Sequence, residues 1–296
     1  MTITPECILC LYQQALRSGR LMGLDEARIK QILDATGDHL KRFELGALTP
    51  PEAAVPIYGS IAAITGEADP IAAYKEAASH QAARLLPKVR RAIAQAADPI
   101  DAALRAAIAG NVLDFGAQEH FDFEVEIEQI FNTALAVDDY PALYKRLKQA
   151  KRVLVVGDNT GEHLFDGLLL EQLSTRFSDL ELHYAVRGAP AINDVTMKEA
   201  QSAHLHRYAQ LIDSGVDTPG LVLSRASEAF RDCYDRADLI LAKGMGNYEC
   251  LEASADRRVF FLFKVKCSVV AAATAQPLGA LMRLQAQGPG CYTTDN

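Results

Sequence analysis

The chain has 296 residues, 49% of them hydrophobic, and a formal net charge of −8. That content supplies a sizeable core, and an acidic chain without clustered Lys and Arg is a poor fit to nucleic acid, although small phosphorylated ligands remain open to it through local charges or a metal. No apolar run reaches the roughly 20 residues of a membrane-spanning helix, and the start Met1-Thr2-Ile3-Thr4-Pro5-Glu6 lacks the basic and apolar segments of a signal peptide, so the cytoplasm is the expected compartment.

The first half reads as helices. Pro5 opens one through Leu9, Leu11 and Ala15, and the stretch from Asp25 carries Ile29, Ile32, Leu33 and Leu40 at helical spacing. Pro50-Pro51 opens another with Val55 and Ile57. Asp69-Pro70 and Asp98-Pro99 each pair an N-cap acid with proline at the first helical position. After Asp98, Ile100, Leu104 and Ile108 form an i, i+4, i+8 stripe that ends at Gly110-Asn111, and helical periodicity continues through Phe131, Leu135, Leu143 and Leu147.

The pattern changes near Arg152. Short apolar runs at 152–156, 182–186, 221–223, 239–242 and 259–265 alternate with helical segments at 162–176, 195–208 and 228–236. Such alternation is the signature of βαβ units and a parallel sheet. The expectation is an α/β fold: a Rossmann-like three-layer sheet domain over residues 151–296, with an all-helical N-terminal cap over 1–150 packed against it.

Open α/β sheets bind ligands beyond the carboxyl ends of their strands. After the first strand come Gly157-Asp158-Asn159-Thr160-Gly161-Glu162, and after the second Arg187-Gly188 and Asn193-Asp194. After the run at 239–242 come Lys243-Gly244-Met245-Gly246-Asn247, and the last strand carries Lys264 and Lys266. Asp158, Asn159 and Asp194 offer hard oxygen ligands suited to Mg²⁺ or Mn²⁺. Lys243 and Lys264 offer positive charge to phosphoryl oxygens, and Gly244 and Gly246 let backbone N–H groups approach an anion at a helix start near Asn247. Lys264 ends a run with two apolar faces, where a lysine is costly unless paired or working; its long stem reaching solvent is the plain alternative. Asp194 also reads as an N-cap, Asp158-Asn159 as turn chemistry and Asn111 as a left-handed helix end. The joint appearance of these residues at strand ends is what favours a site.

Other chemistries find little support. The histidines form no HExxH, and His204-x-His206 on a helix would point its rings to different faces. There is no GxSxG, no Walker motif and no complete dinucleotide fingerprint. Of the six cysteines, Cys7 and Cys10 form a single CxxC, which reads better as two packed thiols than as half of a zinc site.

Six segments appear in a recognisable order. They are Glu6-Cys7-x-x-Cys10-Leu11, Gly110-Asn111-x-x-Asp114, Gly157-Asp158-Asn159-x-Gly161-Glu162, Arg187-Gly188-x-Pro190-x-x-Asn193-Asp194-x-Thr196, Lys243-Gly244-x-Gly246-Asn247-Tyr248-Glu249 and Lys264-x-Lys266-Cys267. Together they resemble the metal-dependent damage-control phosphatases, formerly domain of unknown function 89, and the CxxC resembles their prokaryotic stand-alone branch. The resemblance implies a divalent ion (Mg²⁺, Mn²⁺, Co²⁺ or Ni²⁺) on Asp158, Asn159 and Asp194, and release of phosphate from small phosphorylated metabolites. Asp158, Asp194 and Lys243 then form the catalytic set. Asn111, Asp114, Arg187, Gly244, Gly246, Asn247 and Lys264 form the substrate and phosphate set, with Glu162 in support. Met245 stands where the family pattern has Gln, away from the metal set. Two rival readings are an S-adenosylmethionine-dependent methyltransferase and a non-catalytic phosphometabolite-binding protein. The oligomeric state is not legible in the sequence.

Overall fold

Proline and capping signals begin the N-terminal helices of the computed structural model, which describes residues 1–110 and 131–287. Pro5 lies in the first turn of α1 (Pro5–Leu21). The Asp25 carboxylate accepts from the Arg28 N–H to cap α2 (Glu26–Leu40). Thr49 and Glu52 form a reciprocal capping box on α3 (Pro50–Thr65), which Gly66 ends at φ 77°. These three helices share an apolar cluster that includes Leu11, Ala15, Ile32, Ala53 and Ile57.

Helices α4 (Ala72–Gln95) and α5 (Pro99–Gly110) pack elsewhere. Their Ala82, Leu85, Val89, Ile100, Leu104 and Ile108 bury into one face of a sheet, beside Phe165, Leu169 and the strand residues Val153 and Val155. Each such large aliphatic side chain contributes about 1.5–3 kcal/mol by leaving water. One continuous core therefore joins residues before 110 to residues after 150.

The sheet has seven strands in the order β1-β7-β6-β5-β2-β3-β4. They are β1 (Leu135–Asp138), β2 (Arg152–Val156), β3 (Glu181–Val186), β4 (Gln210–Asp213), β5 (Leu239–Lys243), β6 (Val259–Lys264) and β7 (Leu281–Gln285). Between them lie α6 (Tyr140–Leu147), α7 (Glu162–Arg176), α8 (Met197–Ser202), α9 (Glu228–Arg236), α10 (Gly244–Leu251) and α11 (Ser268–Thr274). Strand β2 pairs in parallel with both β3 and β5. Strands β4 and β6 extend the parallel set on either side, whereas β7 runs antiparallel to β6 and carries β1. Helices α4, α5 and α7 cover one face; α9, α10 and α11 cover the other through Phe230, Tyr248 and Val270. The expected three-layer α/β arrangement is present, and the strand order reverses at β2, between β3 and β5.

Several local expectations are corrected. The apolar run at 221–223 is not a strand. Leu221 is buried, its N–H donates to the Asn247 Oδ1, and the segment turns into a 3₁₀ helix at Leu223–Arg225. The edge strand is β4, whose half-buried Leu211 and Ile212 give a weak apolar signal. Leu135 belongs to a strand, not a helix, and β7 is a further strand whose Leu281-Met282-Arg283-Leu284-Gln285 forms no continuous apolar run. The helix expected at 195–208 stops at Ser202, because His204 turns to φ 55° before a separate 3₁₀ turn at Leu205–Arg207. Asp194 does not cap a helix; Thr196 does, with Glu199. Cys7 is buried and Cys10 exposed. Asn111 and Asp114 lie outside the described residues.

Candidate active site

Register puts three strand ends level. Val156 pairs with Ala185 on one side and Ala242 on the other, so the positions two residues on, Asp158, Arg187 and Gly244, emerge together at the switch point where such sheets open a crevice. A bridge between Asn159 and Asp194 then lays the loop after β3 alongside the loop after β2. The Val195 N–H donates to the Asp158 carbonyl at 2.8 Å, and the Thr160 N–H and Oγ1 both donate to the Asn193 carbonyl, at 2.8 and 2.7 Å. Asp158, Asn159 and Asp194, 36 positions from first to last, become neighbours through backbone pairing alone.

Glycine makes the approach possible. Gly244 sits at φ 79°, and a Cβ there would overlap the Asp158 carboxylate. The N-terminus of α10 thereby abuts a carboxylate, a favourable pairing for the positive end of a helix. Gly246 is pressed against the Pro219 carbonyl in the same way, which leaves no room for a side chain.

Buried polar groups hold the site in place. The Arg187 guanidinium is 1% exposed; its Nε donates to Asp194 Oδ2 at 2.6 Å and its Nη2 to Asn247 Oδ1 at 3.1 Å. Asn247 Nδ2 donates to the carbonyls of Gly157 and Lys243. One amide thus ties β2, β5 and the segment at Leu221 to the arginine that orients Asp194. The Lys243 ammonium is fully buried and donates to Asp166 Oδ1 at 2.6 Å, with Glu162 at 3.9 Å. Tyr184 donates to the other Asp166 oxygen at 2.9 Å. Sequence reasoning missed Asp166 and Tyr184; an acid inside the apolar stretch Phe165-Asp166-Gly167-Leu168 of α7 was the available signal.

Four acidic side chains crowd the crevice. Burial pushes the Asp194 carboxyl up to about 7, against the opposing pull of Arg187, and the Asp158 charge adds to the rise. Burial and the Asp158 charge also lift Glu162 to about 7. Glu249 rises to about 7 through burial, despite the nearby amino terminus of the chain, with Asp158 adding again. Burial alone would lower Lys243, but Asp166 and Glu162 outweigh it and hold the ammonium charged. Asn159 Nδ2 bridges Asp158 Oδ2 and Glu162 Oε1, each at 2.8 Å.

A cavity of about 730 Å³ opens from this crevice, lined among others by Asn159, Glu162, Asn193, Lys264 and Lys266. Helices α1, α3 and α4 also line this cavity, through Arg17, Tyr58 and Tyr74 respectively. A neighbouring cavity of about 490 Å³ is lined by Asp158, Asp194, Glu249, Cys10 and Cys267. The structure therefore gathers Asp158, Asn159, Asp194, Arg187, Gly244 and Asn247 at the crevice. Lys264 lies on the cavity wall, and Lys243 lies beneath it. Among the described residues no three His, Cys, Asp or Glu side chains could by themselves hold a metal ion.

A model of the damage-control phosphatase ARMT1-like domain matches residues 3–282. The chain is 31% identical to a damage-control phosphatase of Pyrococcus horikoshii, over 95% of this chain and 97% of that one. It is equally 31% identical to a damage-control phosphatase of Archaeoglobus fulgidus, over 92% and 94%. In three dimensions it is similar to the crystal structure of a DUF89 family protein from Pyrococcus horikoshii, with a TM-score of 0.90, 30% identity, and coverage of 97% of this chain and 100% of that one. These likenesses do not favour the methyltransferase alternative.

Proposed function

The chain belongs to the damage-control phosphatase ARMT1-like domain family, and on that premise we propose that it is a metal-dependent phosphomonoesterase acting on small phosphorylated metabolites, with its ion on Asp158, Asn159 and Asp194. The observation that carries the reading is the 159–194 bridge, which sets two buried carboxylates and an amide side by side at the sheet's switch point.

The donor set fits a hard divalent ion. Two carboxylates and one amide oxygen give three protein oxygens, and ions such as Mg²⁺ commonly complete their shell with water and substrate phosphate. The crowding of Glu162, Asp194 and Glu249 around Asp158, whose charge adds to the rise of all three, is a surplus of negative charge that such an ion would offset. When bound, a divalent ion supplies polarisation of the phosphoryl group and offsets charge on its oxygens.

The protein side of the mechanism follows from the contacts. Arg187 fixes the direction of the Asp194 carboxylate, and Asn247 fixes Arg187. Glu162 accepts from the Asn159 amide and so sets which way that amide faces. Lys243, spent on Asp166, acts as a buried positive support for Glu162 and Asp158. Lys264 and Lys266, two residues apart at the end of β6 and both on the cavity wall, offer ammonium donors to the phosphoryl oxygens.

Phosphate release from a panel of phosphate esters, with Mg²⁺, Mn²⁺, Co²⁺ or Ni²⁺, tests the reading. Asp158→Ala and Asp194→Ala are each expected to lower kcat/KM by at least about 100-fold. Release that needs no metal, or full activity in both variants, would sink it.

A further inference from the structure

The loop after β3 holds one residue where its type is disfavoured. The Asp194 N–H donates to the Ala191 carbonyl at 2.9 Å, which closes a four-residue turn over 191–194. Ile192 is the first central residue of that turn and sits at φ 47°. Turns with positive φ at this position are dominated by glycine, asparagine and aspartate. For a β-branched residue the left-handed region is an outlier, and such strain persists only where the surroundings impose it. They impose it here. Ala191 and Asp194 are both buried, the Asn193 carbonyl accepts from the Thr160 N–H and Oγ1, and Asn159 is bridged to Asp194. The turn is fixed at its base, while its central residues Ile192 and Asn193 stay half-buried at the cavities.

Glycine would make the same turn without strain, so the isoleucine side chain needs a reason of its own. The cavities supply one. Ile192 lines the cavity of about 730 Å³, the neighbouring one of about 490 Å³, and a third of about 180 Å³. Among the described residues no other lines all three. The smallest lies beside α3 and is walled mainly by apolar groups such as Val55, Ile61, Ala62 and Pro70. The acids beside them, Asp69 and Asp217, are paired with Lys75 and Arg225. Apolar space of about 150 Å³ is enough to take a benzene ring. Ile192 is also two residues from Asp194, so their Cα atoms lie within about 7.6 Å of each other.

We infer that Ile192 determines specificity: its side chain is the partition between the largest cavity and the small apolar one, so that a substrate carrying an alkyl or aryl arm gains nothing from that arm. The inference rests on the phosphatase reading for turnover but not for the shape of the cavities. The strained turn serves two ends at once. It brings Asp194 to Asn159, and it holds a branched side chain at the junction of the cavities, next to the proposed metal residues. Removing that side chain joins the small apolar space to the large cavity.

A matched pair of esters tests this. Propyl phosphate and 3-phenylpropyl phosphate share a primary alkyl leaving group and differ by a terminal ring. With the metal-loaded unaltered protein, the phenyl ester is expected to have a kcat/KM no higher than that of the propyl ester. Ile192→Gly is expected to raise the phenylpropyl-to-propyl ratio about tenfold, and Ile192→Leu, which keeps the bulk, to leave it near the unaltered value. A merely structural role would lower both rates together and leave the ratio alone. A phenyl ester favoured by the unaltered protein, or a ratio that Ile192→Gly does not raise, overturns the inference. Strain has its own measurement: the Tm of Ile192→Gly is expected to exceed that of Ile192→Ala by about 2–4 °C. The reverse order would remove the imposed turn and the inference with it. If no ester of any kind is hydrolysed, the phosphatase reading fails by itself. Calorimetric binding of the two esters then decides, since Ile192→Gly must still raise the phenylpropyl-to-propyl affinity ratio about tenfold.

Discussion

Gly244 shows how much of the site rests on one missing side chain. Its left-handed φ of 79° and its contact with Asp158 are both closed to alanine. A Cβ would strain the backbone by about 1–3 kcal/mol and push the Asp158 carboxylate out of line with Asn159 and Asp194. Displacements of about 1 Å at a reacting centre cost on the order of 100-fold in rate. Gly244→Ala is therefore expected to lower kcat/KM for phosphate release on that order and to weaken metal binding in a titration. Wild-type rates in Gly244→Ala would show that the close approach is dispensable. Arg187 and Lys243 teach a different point about single residues. The sequence offers both as charges near a substrate, and Arg187 also as an orienting group; the structure pairs them with Asp194 and Asp166. A buried cation must be paired before it can be useful, and pairing is not visible in a one-dimensional chain.

At the scale of elements, α7 links the site to the layer beneath. It begins directly after the 157–161 loop, and His163 in its first turn is buried, with the Gly161 N–H donating to its Nδ1 at 3.0 Å. Burial pushes the ring down to about 4, so it is neutral in the folded protein at pH 7. The unfolded ring titrates near 6.5. The folded state thus excludes a proton that the unfolded state accepts, and stability present above about 6.5 is lost as pH falls towards 4. The loss amounts to about 3 kcal/mol over that window. His163→Gln keeps an acceptor for Gly161 without the proton affinity. Urea denaturation is expected to show the wild type losing its advantage over the variant by about that amount between pH 7 and pH 4; a constant difference would mean the ring protonates freely when folded. Helix α8 illustrates the limit of element-level reading. Its apolar pattern continues past Ser202, but a left-handed His204 ends it, because Leu205 must turn back into the core beside α5 and α7.

For the whole molecule, the crowding of acids is a cost of folding that an ion can repay. After burial, Asp158 is a shared cause of the rise of Glu162, Asp194 and Glu249, so the four carboxyls oppose one another's ionisation. Binding of an ion to the folded state alone adds about 2.7 kcal/mol at 100 times Kd, several degrees of Tm for a chain of this length. Thermal unfolding with and without Mn²⁺ or Mg²⁺ is expected to show that rise in the wild type. In Asp158→Asn the rise should vanish while the metal-free Tm stands at or above the wild-type value, as relief of repulsion requires. A metal-induced rise preserved in Asp158→Asn would remove Asp158 from the ion's shell. The described helices include none long and apolar enough to cross a membrane.

The amino-acid sequence by itself determined the α/β class, the central strands β2, β3, β5 and β6, and the segments that end at the crevice. Those strands are buried on both faces, and continuous apolar runs such as Phe260-Phe261-Leu262-Phe263 report that directly. Proline, glycine and capping residues marked most helix starts for equally local reasons. Tertiary structure alone decided the rest. Edge strands β1 and β4 are half exposed and so carry little apolar signal. Strand β7 owes its place to an antiparallel partner, not to its own pattern. Arg17, Tyr58 and Tyr74 reach the site from helices more than 80 positions before Asp158, and Asp166 pairs with a lysine 77 positions away. Local composition records burial and turns; it does not record which distant side chains a fold sets face to face, and that juxtaposition is what makes a loop after one strand into a site.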